Sequence, residues 1–183
     1  TSVLLRRRDP IVGSLIVTDR CNLACRHCAV ANLRRIDYRF TILQQDLRNL
    51  YAQGVRILLL YGGEPLLWHD GQRTLRDVVA EARAIGFYWV VIVTNGTRGL
   101  DLPEADLVLV SLDGTREHHD AIRGRTYETV LANIETATTA NLCLYMAVNR
   151  VNVDDVEFVA DLAVSLPAVR GVSYNLHTPY PGT

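Results

Sequence analysis

Three of the chain's four cysteines, Cys21, Cys25 and Cys28, fall within the stretch DRCNLACRHCAV (residues 19–30). Thiolates at such short separations converge on one point when the backbone loops around them, which suits zinc or iron–sulfur coordination better than disulfide bonding. A closed metal site takes four ligands, and here three are clustered. The triplet therefore stands for an unfinished site, a site completed by a ligand from elsewhere in the chain, or a metal centre with one position kept open for chemistry.

The elements that must position this loop are legible as six short apolar runs: SLIVT (14–18), VRILLLY (55–61), WVVIVT (89–94), LVLVSL (107–112), CLYMAV (143–148) and VSYNLH (172–177). Helical periodicity separates most of them. The stretch 41–54, TILQQDLRNLYAQG, places Leu43, Leu47 and Leu50 on one face, has Thr41 and Gln44 spaced as a capping box, and ends at Gly54. Stretches 72–85, 126–139 and 154–165 carry similar periodicity, whereas NGTRGLDLPEAD, between the third and fourth runs, has room for at most a turn or two of helix. Apolar runs alternating with amphipathic stretches describe a parallel sheet covered by helices. A doubly wound open sheet and an incomplete barrel both fit, and in either one ligands gather beyond the carboxyl ends of the strands.

Polar and glycine-rich sequence collects at those ends. The cysteines follow the first run, GGEP (62–65) the second, and Asn95-Gly96 the third; Ser111 and Asp113-Gly114 close the fourth, Asn149 follows the fifth, and His177 ends the sixth. Taken singly, NG, DG and GGEP are ordinary turn sequences. Their shared edge with a metal-binding triplet argues against independent turns.

Composition narrows the classes further. At 183 residues, 49% apolar and 21% charged, the chain suits one globular domain with a substantial core. A net charge of −1 gives no basic field for nucleic acid. The arginine triplet at 6–8 reads as a solvated terminus, and no apolar run is long enough to cross a bilayer or form a signal peptide. All 19 basic residues are arginine. These residues therefore offer neither a lysine Schiff base for pyridoxal phosphate nor a lysine-dependent phosphate loop. Cysteines clustered rather than distributed in pairs indicate a reducing compartment, read here as the cytoplasm, although a first residue other than methionine constrains targeting only weakly.

The C-x3-C-x2-C triplet after the first strand, with GGEP after the second, resembles the radical S-adenosylmethionine (radical SAM) superfamily. SLDG (111–114) and EHHDAIRG (117–124) are similar to the S-x-D-G and H-D-x-x-R-G segments of its subgroup of peptide-modifying maturases and molybdenum-cofactor enzymes. The resemblance runs from about residue 14 to 177. It implies a partial, open (βα)6 TIM-like barrel of parallel strands in one domain, 1–183, with 1–12 an N-terminal extension and 178–183 the start of a C-terminal region that is truncated or absent. It also implies a 4Fe-4S cluster on Cys21, Cys25 and Cys28, with the fourth iron left open for S-adenosylmethionine. In the family, reductive cleavage of that molecule yields a 5′-deoxyadenosyl radical that abstracts hydrogen from substrate. An external reductant such as ferredoxin or flavodoxin and a peptide or small-molecule substrate are implied as partners.

Further roles come from the same resemblance. His27, just before the third cysteine, lies against the adenine. Gly62 and Gly63 let the backbone approach the methionine moiety, Glu64 adds negative charge there, and Pro65 stiffens the turn. Thr94, Asn95 and Ser111 line the methionine and ribose regions, Asp113 takes ribose hydroxyls, Arg123 pairs with the methionine carboxylate, and Asn149 meets the adenine edge. His177 faces substrate or moves a proton. Rival readings stay open: His27 as a fourth zinc ligand, Arg123 as a surface ion pair with Asp120, His177 as a satisfied structural residue, and the triplet as a structural zinc or electron-transfer iron–sulfur module. His69, His118 and His119 are expected to be solvent-facing or capping, and Cys143 to be core packing.

Overall fold

The computed structural model describes residues 9–102, 104–138 and 141–178. Most of the expected N-terminal extension, with the arginine triplet, and most of the expected C-terminal region lie outside the described residues. The elements run β1 (Val12–Thr18), α1 (Phe40–Ala52), β2 (Ile57–Gly62), a 3-10 turn (Pro65–Leu67), β3 (His69–Asp70), β4 (Arg73–Thr74), α2 (Leu75–Ile85), β5 (Trp89–Thr94) and β6 (Leu107–Ser111). They continue with α3 (Arg116–Arg123), α4 (Tyr127–Glu135), β7 (Leu142–Val148), a 3-10 turn (Val153–Asp155), α5 (Val156–Ser165) and β8 (Val169–Leu176).

The six long strands form one sheet in the order β1-β2-β5-β6-β7-β8, every neighbouring pair parallel. This order separates the two architectures that periodicity left open. A doubly wound sheet reverses direction at a switch point, whereas here each strand lies beside the next long strand in the chain. Edges β1 and β8 do not pair with each other, so the barrel is partial and open.

Pleating assigns the two faces. Leu58, Leu60, Val90, Ile92, Val108, Val110, Leu144 and Met146 are buried on one face, in a single core with Leu43 and Leu47 of α1, Val78 and Ala82 of α2, Val130 and Ile134 of α4, and Val159 of α5. Each such side chain contributes about 1.5–3 kcal/mol of burial, which explains why the runs read as nearly continuous apolar segments. The alternate residues, among them Tyr61, Val93 and Tyr145, are half-buried on the concave face.

Several boundaries differ from the expected ones for identifiable reasons. Helix α1 starts one residue early and does not use the Thr41–Gln44 box: its N-cap is Arg39, and the Phe40 N–H donates to Asp70 of β3 at 2.8 Å. A tertiary carboxylate thus replaces the local cap. Gly54 does follow the helix end, at φ +107°, in the left-handed region that glycine tolerates. Helix α2 has the capping box instead, Thr74 with Asp77. Helix α3 leaves no trace in the apolar pattern, because REHHDAIR carries too few apolar residues to show a period. The β5–β6 connection has no helix among its described residues, as its length suggested.

Candidate active site

The carboxyl ends of the six strands surround a cavity of about 710 Å³. Cys21, Cys25 and Cys28 face it from the loop after β1, Gly62 and Gly63 from the end of β2, Thr94 and Asn95 from β5, Ser111 from β6, Arg123 from α3 and His177 from beyond β8.

The cysteine loop is held by its own polar residues. The Asp19 carboxylate accepts from Arg34 N at 2.5 Å and Ile36 N at 2.6 Å, closing the loop across its base. Asn32, at φ 61°, turns its side-chain oxygen back to accept from Cys21 N at 3.0 Å. The Arg26 N–H donates to Ile122 O at 2.9 Å and ties the loop to α3. Several N–H groups point at sulfur: Leu23 N at 3.4 Å and Asn95 Nδ2 at 3.7 Å from Cys21, and Ala31 N at 3.4 Å from Cys28. Donors of this kind tune thiolate ligands.

The glycine pair has a specific reason to be glycine. A Cβ on Gly62 would stand 2.0 Å from Thr18 O, and one on Gly63 2.2 Å from Arg20 O. Gly63 N donates to Thr18 O at 2.8 Å and Glu64 N to Arg20 O at 2.7 Å, so this turn is stitched to the entrance of the cysteine loop. Gly63→Ala is therefore expected to cost about 1–3 kcal/mol or more through backbone overpacking and to lower metal incorporation. Gly171→Ala in β8, where a Cβ meets nothing within 4 Å, is the control. Denaturant melts and iron content on the two variants check this, and equal behaviour would contradict it.

Glu64 corrects one expectation. Its carboxylate is fully buried behind the cavity rather than lining it, accepting from Thr94 Oγ1 at 2.7 Å, Asn95 N at 2.7 Å and Leu66 N at 3.1 Å. Burial raises its pKa against the pull of those hydrogen bonds. Its geometric effect is to lock the end of β5 to the glycine turn. Pro65 is buried as the first residue of the 3-10 turn and also lies outside the cavity lining.

Asp113 and Arg123 form the second correction. Asp113 is fully buried and absent from the cavity lining; its Oδ1 accepts from Ala147 N at 2.8 Å and its Oδ2 from Arg123 Nε at 2.5 Å. Both oxygens are engaged, which leaves none turned toward a ribose. The surface pair of Arg123 with Asp120 does not form: Asp120 accepts from Thr126 N and Tyr127 N, each at 3.0 Å, at the start of α4. Arg123 is buried, and it lines the cavity together with the cysteines. Because Nε takes the Asp113 bond, the terminal nitrogens of the fork are not spent on that carboxylate.

Asn149 spends its side chain on its own turn, accepting from Val151 N at 2.8 Å and donating to Ala147 O at 3.1 Å, and it lines a second, adjoining cavity. His27 and His177 stand at the boundary of the two cavities with their rings edge to face, centroids 5.8 Å apart. His27 Nδ1 is buried without a hydrogen-bond partner among the described residues and lies 4.0 Å from Asp113 Oδ2. Burial pushes this imidazole down to about 4, with the Arg123 charge acting in the same direction.

His69, His118 and His119 line neither cavity. His69 is exposed beside Arg20 and Asp37, and His118 Nδ1 lies 2.7 Å from Asp155. His119 departs from expectation: it is fully buried, its Nδ1 accepting from Asp113 N at 3.2 Å and its Nε2 3.1 Å from Thr126 Oγ1. Cys143 is half-buried on β7 and lines neither cavity. Sequence reasoning missed Asn152, which is fully buried and donates to Asp113 O at 3.0 Å and Ala147 O at 3.1 Å, joining the ends of β6 and β7. An asparagine in a turn carries no local signal for such a bridge.

The donor set fits an iron–sulfur cluster. All three thiols are half-buried and free. Burial pushes Cys25 up to about 11 and raises Cys21, so a metal centre must displace the protons of these two. The three thiols line one cavity, as ligands of a cluster that uses one thiolate per iron would.

The Radical SAM superfamily model matches residues 15–163. Among curated relatives, a probable GTP 3′,8-cyclase of Methanothermobacter marburgensis is 32% identical over 74% of this chain and 47% of its own length. An Fe-coproporphyrin III synthase of Methanosarcina barkeri is 32% identical over 87% of this chain and 42% of its own. SuiB of Streptococcus suis, solved bound to S-adenosylmethionine, superposes with a TM-score of 0.74 at 15% identity, over 94% of this chain and 42% of that one. The chain thus spans less than half the length of these relatives. A family match running from β1 to α5, through the cysteine loop and the glycine turn that cradles it, makes this chain a member of the Radical SAM superfamily, whose enzymes use a 4Fe-4S cluster and S-adenosylmethionine.

Proposed function

We propose that this chain is the radical-generating core of an enzyme that abstracts hydrogen from a peptide or from a precursor of a cofactor or natural product. The observation that carries the reading is the convergence on one cavity of three free thiols, the Gly62–Gly63 cradle and the buried Arg123 guanidinium. When bound, the cluster and S-adenosylmethionine together supply a 5′-deoxyadenosyl radical.

The chain's own residues do the rest. Cys21, Cys25 and Cys28 hold the cluster, and the N–H groups aimed at Cys21 and Cys28 moderate their charge. Gly62 and Gly63 keep the backbone low beneath the methionine moiety, Arg123 offers its fork to the carboxylate, and Thr94, Asn95 and Ser111 line the methionine and ribose regions. His27 lies against the adenine, and Asn149 stands near its edge. The reductant is of ferredoxin or flavodoxin type. No helix among the described residues is long and apolar enough to cross a membrane.

His177 is assigned to the substrate side. It sits across the rim from the cysteine loop and lines both cavities. After anaerobic reconstitution and reduction, the protein should convert S-adenosylmethionine slowly to 5′-deoxyadenosine without substrate, measured by chromatography and mass spectrometry. His177→Gln should leave that background nearly intact, whereas turnover coupled to product should fall, because only the coupled reaction needs substrate held within reach. Equal loss of both would move His177 into the cofactor site, and no 5′-deoxyadenosine from the parent protein would overturn the radical reading.

A further inference from the structure

The limb of the cysteine loop that follows the third cysteine turns outward. Arg35 has φ 55°, in the left-handed region that side chains other than glycine rarely enter. The Asp19 carboxylate grips the N–H groups on either side of it, Arg34 and Ile36, and residues 33–36 are all exposed around that fixed anion. Such a conformation persists only where its surroundings over-determine it, and it collects at binding sites. Asn32, just before the turn, accepts from Cys21 N and donates to Leu23 O, which fastens the turn to the first ligand's side of the loop. The limb then returns antiparallel beside the end of β1, Tyr38 N donating to Val17 O at 3.0 Å. None of residues 33–39 lines either cavity.

The exposed charge on this limb has one sign. Residues 19–39 hold five arginines against two aspartates, in a chain whose net charge is −1. Both aspartates are spent inside the loop, Asp19 on the turn and Asp37 on Thr18 Oγ1 and Arg20. Arg34, Arg35 and Arg39 are exposed and have no carboxylate partner among the described residues. Between them stand Leu33 (69% exposed), Ile36 (38%) and Tyr38 (37%). Exposed apolar side chains set among unpaired arginines have the composition of a protein contact rather than of a solvated loop.

Electron transfer weakens steeply with distance, so a protein donor must seat against a wall close to the three thiols. On the cavity side that place belongs to S-adenosylmethionine. We propose that Leu33, Arg34, Arg35, Ile36, Tyr38 and Arg39 form the docking face for the reductant, a small electron-transfer protein whose redox group is ringed by carboxylates. The inference rests on the radical reading above and names the partner surface for it. In the step this face serves, the reduced donor loses one electron and the cluster held by the three cysteines gains it, with no bond made or broken. A face of this size suffices, because transient redox pairs bury less than about 1,200 Å² in total. The arginines steer the acidic partner and the apolar residues seat it.

Two measurements on the cluster-loaded protein test this with an acidic flavodoxin as the probe: its binding in the oxidised form, by calorimetric titration at low and high salt, and 5′-deoxyadenosine formation driven by its reduced form or by dithionite. The parent should bind flavodoxin, and salt should weaken the binding. The Arg34→Gln/Arg35→Gln variant, which keeps the backbone N–H groups that hold Asp19, should bind about tenfold or more weakly, within the range that steering contributes. Its flavodoxin-driven rate should fall likewise, while its iron content and dithionite-driven rate match the parent. Equal flavodoxin binding by parent and variant, or binding indifferent to salt, would overturn the proposal. So would a parent dimer that the variant dissolves, since the face would then belong to a second copy of the chain. If the double variant loses iron, Arg39→Gln, outside the turn, must still weaken flavodoxin binding while sparing the dithionite-driven rate. Absence of 5′-deoxyadenosine with dithionite in the parent concerns the radical reading instead, and the binding titration judges the docking face independently of it.

Discussion

Replacing Cys21, Cys25 or Cys28 with alanine is expected to abolish iron–sulfur absorbance and S-adenosylmethionine cleavage together, a complete loss rather than a partial one. Each thiol is a separate ligand on the wall of one cavity, and no other described cysteine lines that wall to replace it. Cys143→Ala should retain both properties, because Cys143 sits half-buried within β7, away from the lining of either cavity. Its truncation removes packing alone. Retention of the cluster in any triplet variant, or its loss in Cys143→Ala, would refute the ligand assignment.

Arg123→Ala should be the most damaging substitution outside the triplet. It removes the Nε donor from Asp113, a fully buried carboxylate, and breaking such a pair costs about 3–5 kcal/mol because an uncompensated charge stays behind. It also withdraws the guanidinium from the cavity, for a further weakening of S-adenosylmethionine binding by about 1.5–3 kcal/mol. The two effects can be separated. An Asp113→Asn/Arg123→Gln double variant removes both charges and should recover most of the stability, since replacing both partners is far milder than orphaning one. It should not recover cofactor affinity. Denaturant melts and calorimetric titration check the two halves, and a double variant that binds S-adenosylmethionine like the parent would show that Arg123 is structural only.

These two sites differ in how far the sequence reveals them. The cysteines and Gly62–Gly63 act through spacing and local backbone, so C-x3-C-x2-C and GGEP carry them without tertiary knowledge. The partner of Arg123 is a tertiary fact. Asp120, three residues before it, is the plausible helical neighbour, but its carboxylate is used by the first N–H groups of α4, and Arg123 turns inward to Asp113, ten residues away. Glu64 and Asp113 look like ligands because acidic residues at strand ends often are; burial and complete hydrogen bonding instead make them braces for β5 and Arg123.

The fold shows the same division. Apolar runs located all six strands of the sheet, because burial against helices leaves a strong local trace. The order of the strands, and with it the choice of an open barrel over a doubly wound sheet, has no local trace at all. Helix α1 was legible from Leu43 and Leu47, but its true cap, Asp70, comes from a two-residue strand that no pattern reveals. Helix α3, which carries Arg123, is polar except for Ala121 and Ile122 and was invisible for that reason.

The central claim is that Cys21, Cys25 and Cys28 leave one position of a cluster open to S-adenosylmethionine. Low-temperature electron paramagnetic resonance of the anaerobically reconstituted, dithionite-reduced protein, before and after S-adenosylmethionine is added, addresses it most directly. The expected result is a reduced-cluster signal from roughly four iron and four sulfide per chain that shifts on addition of S-adenosylmethionine and is absent from Cys28→Ala. Tightly bound zinc in place of iron, or a cluster signal that S-adenosylmethionine leaves unmoved, would contradict it.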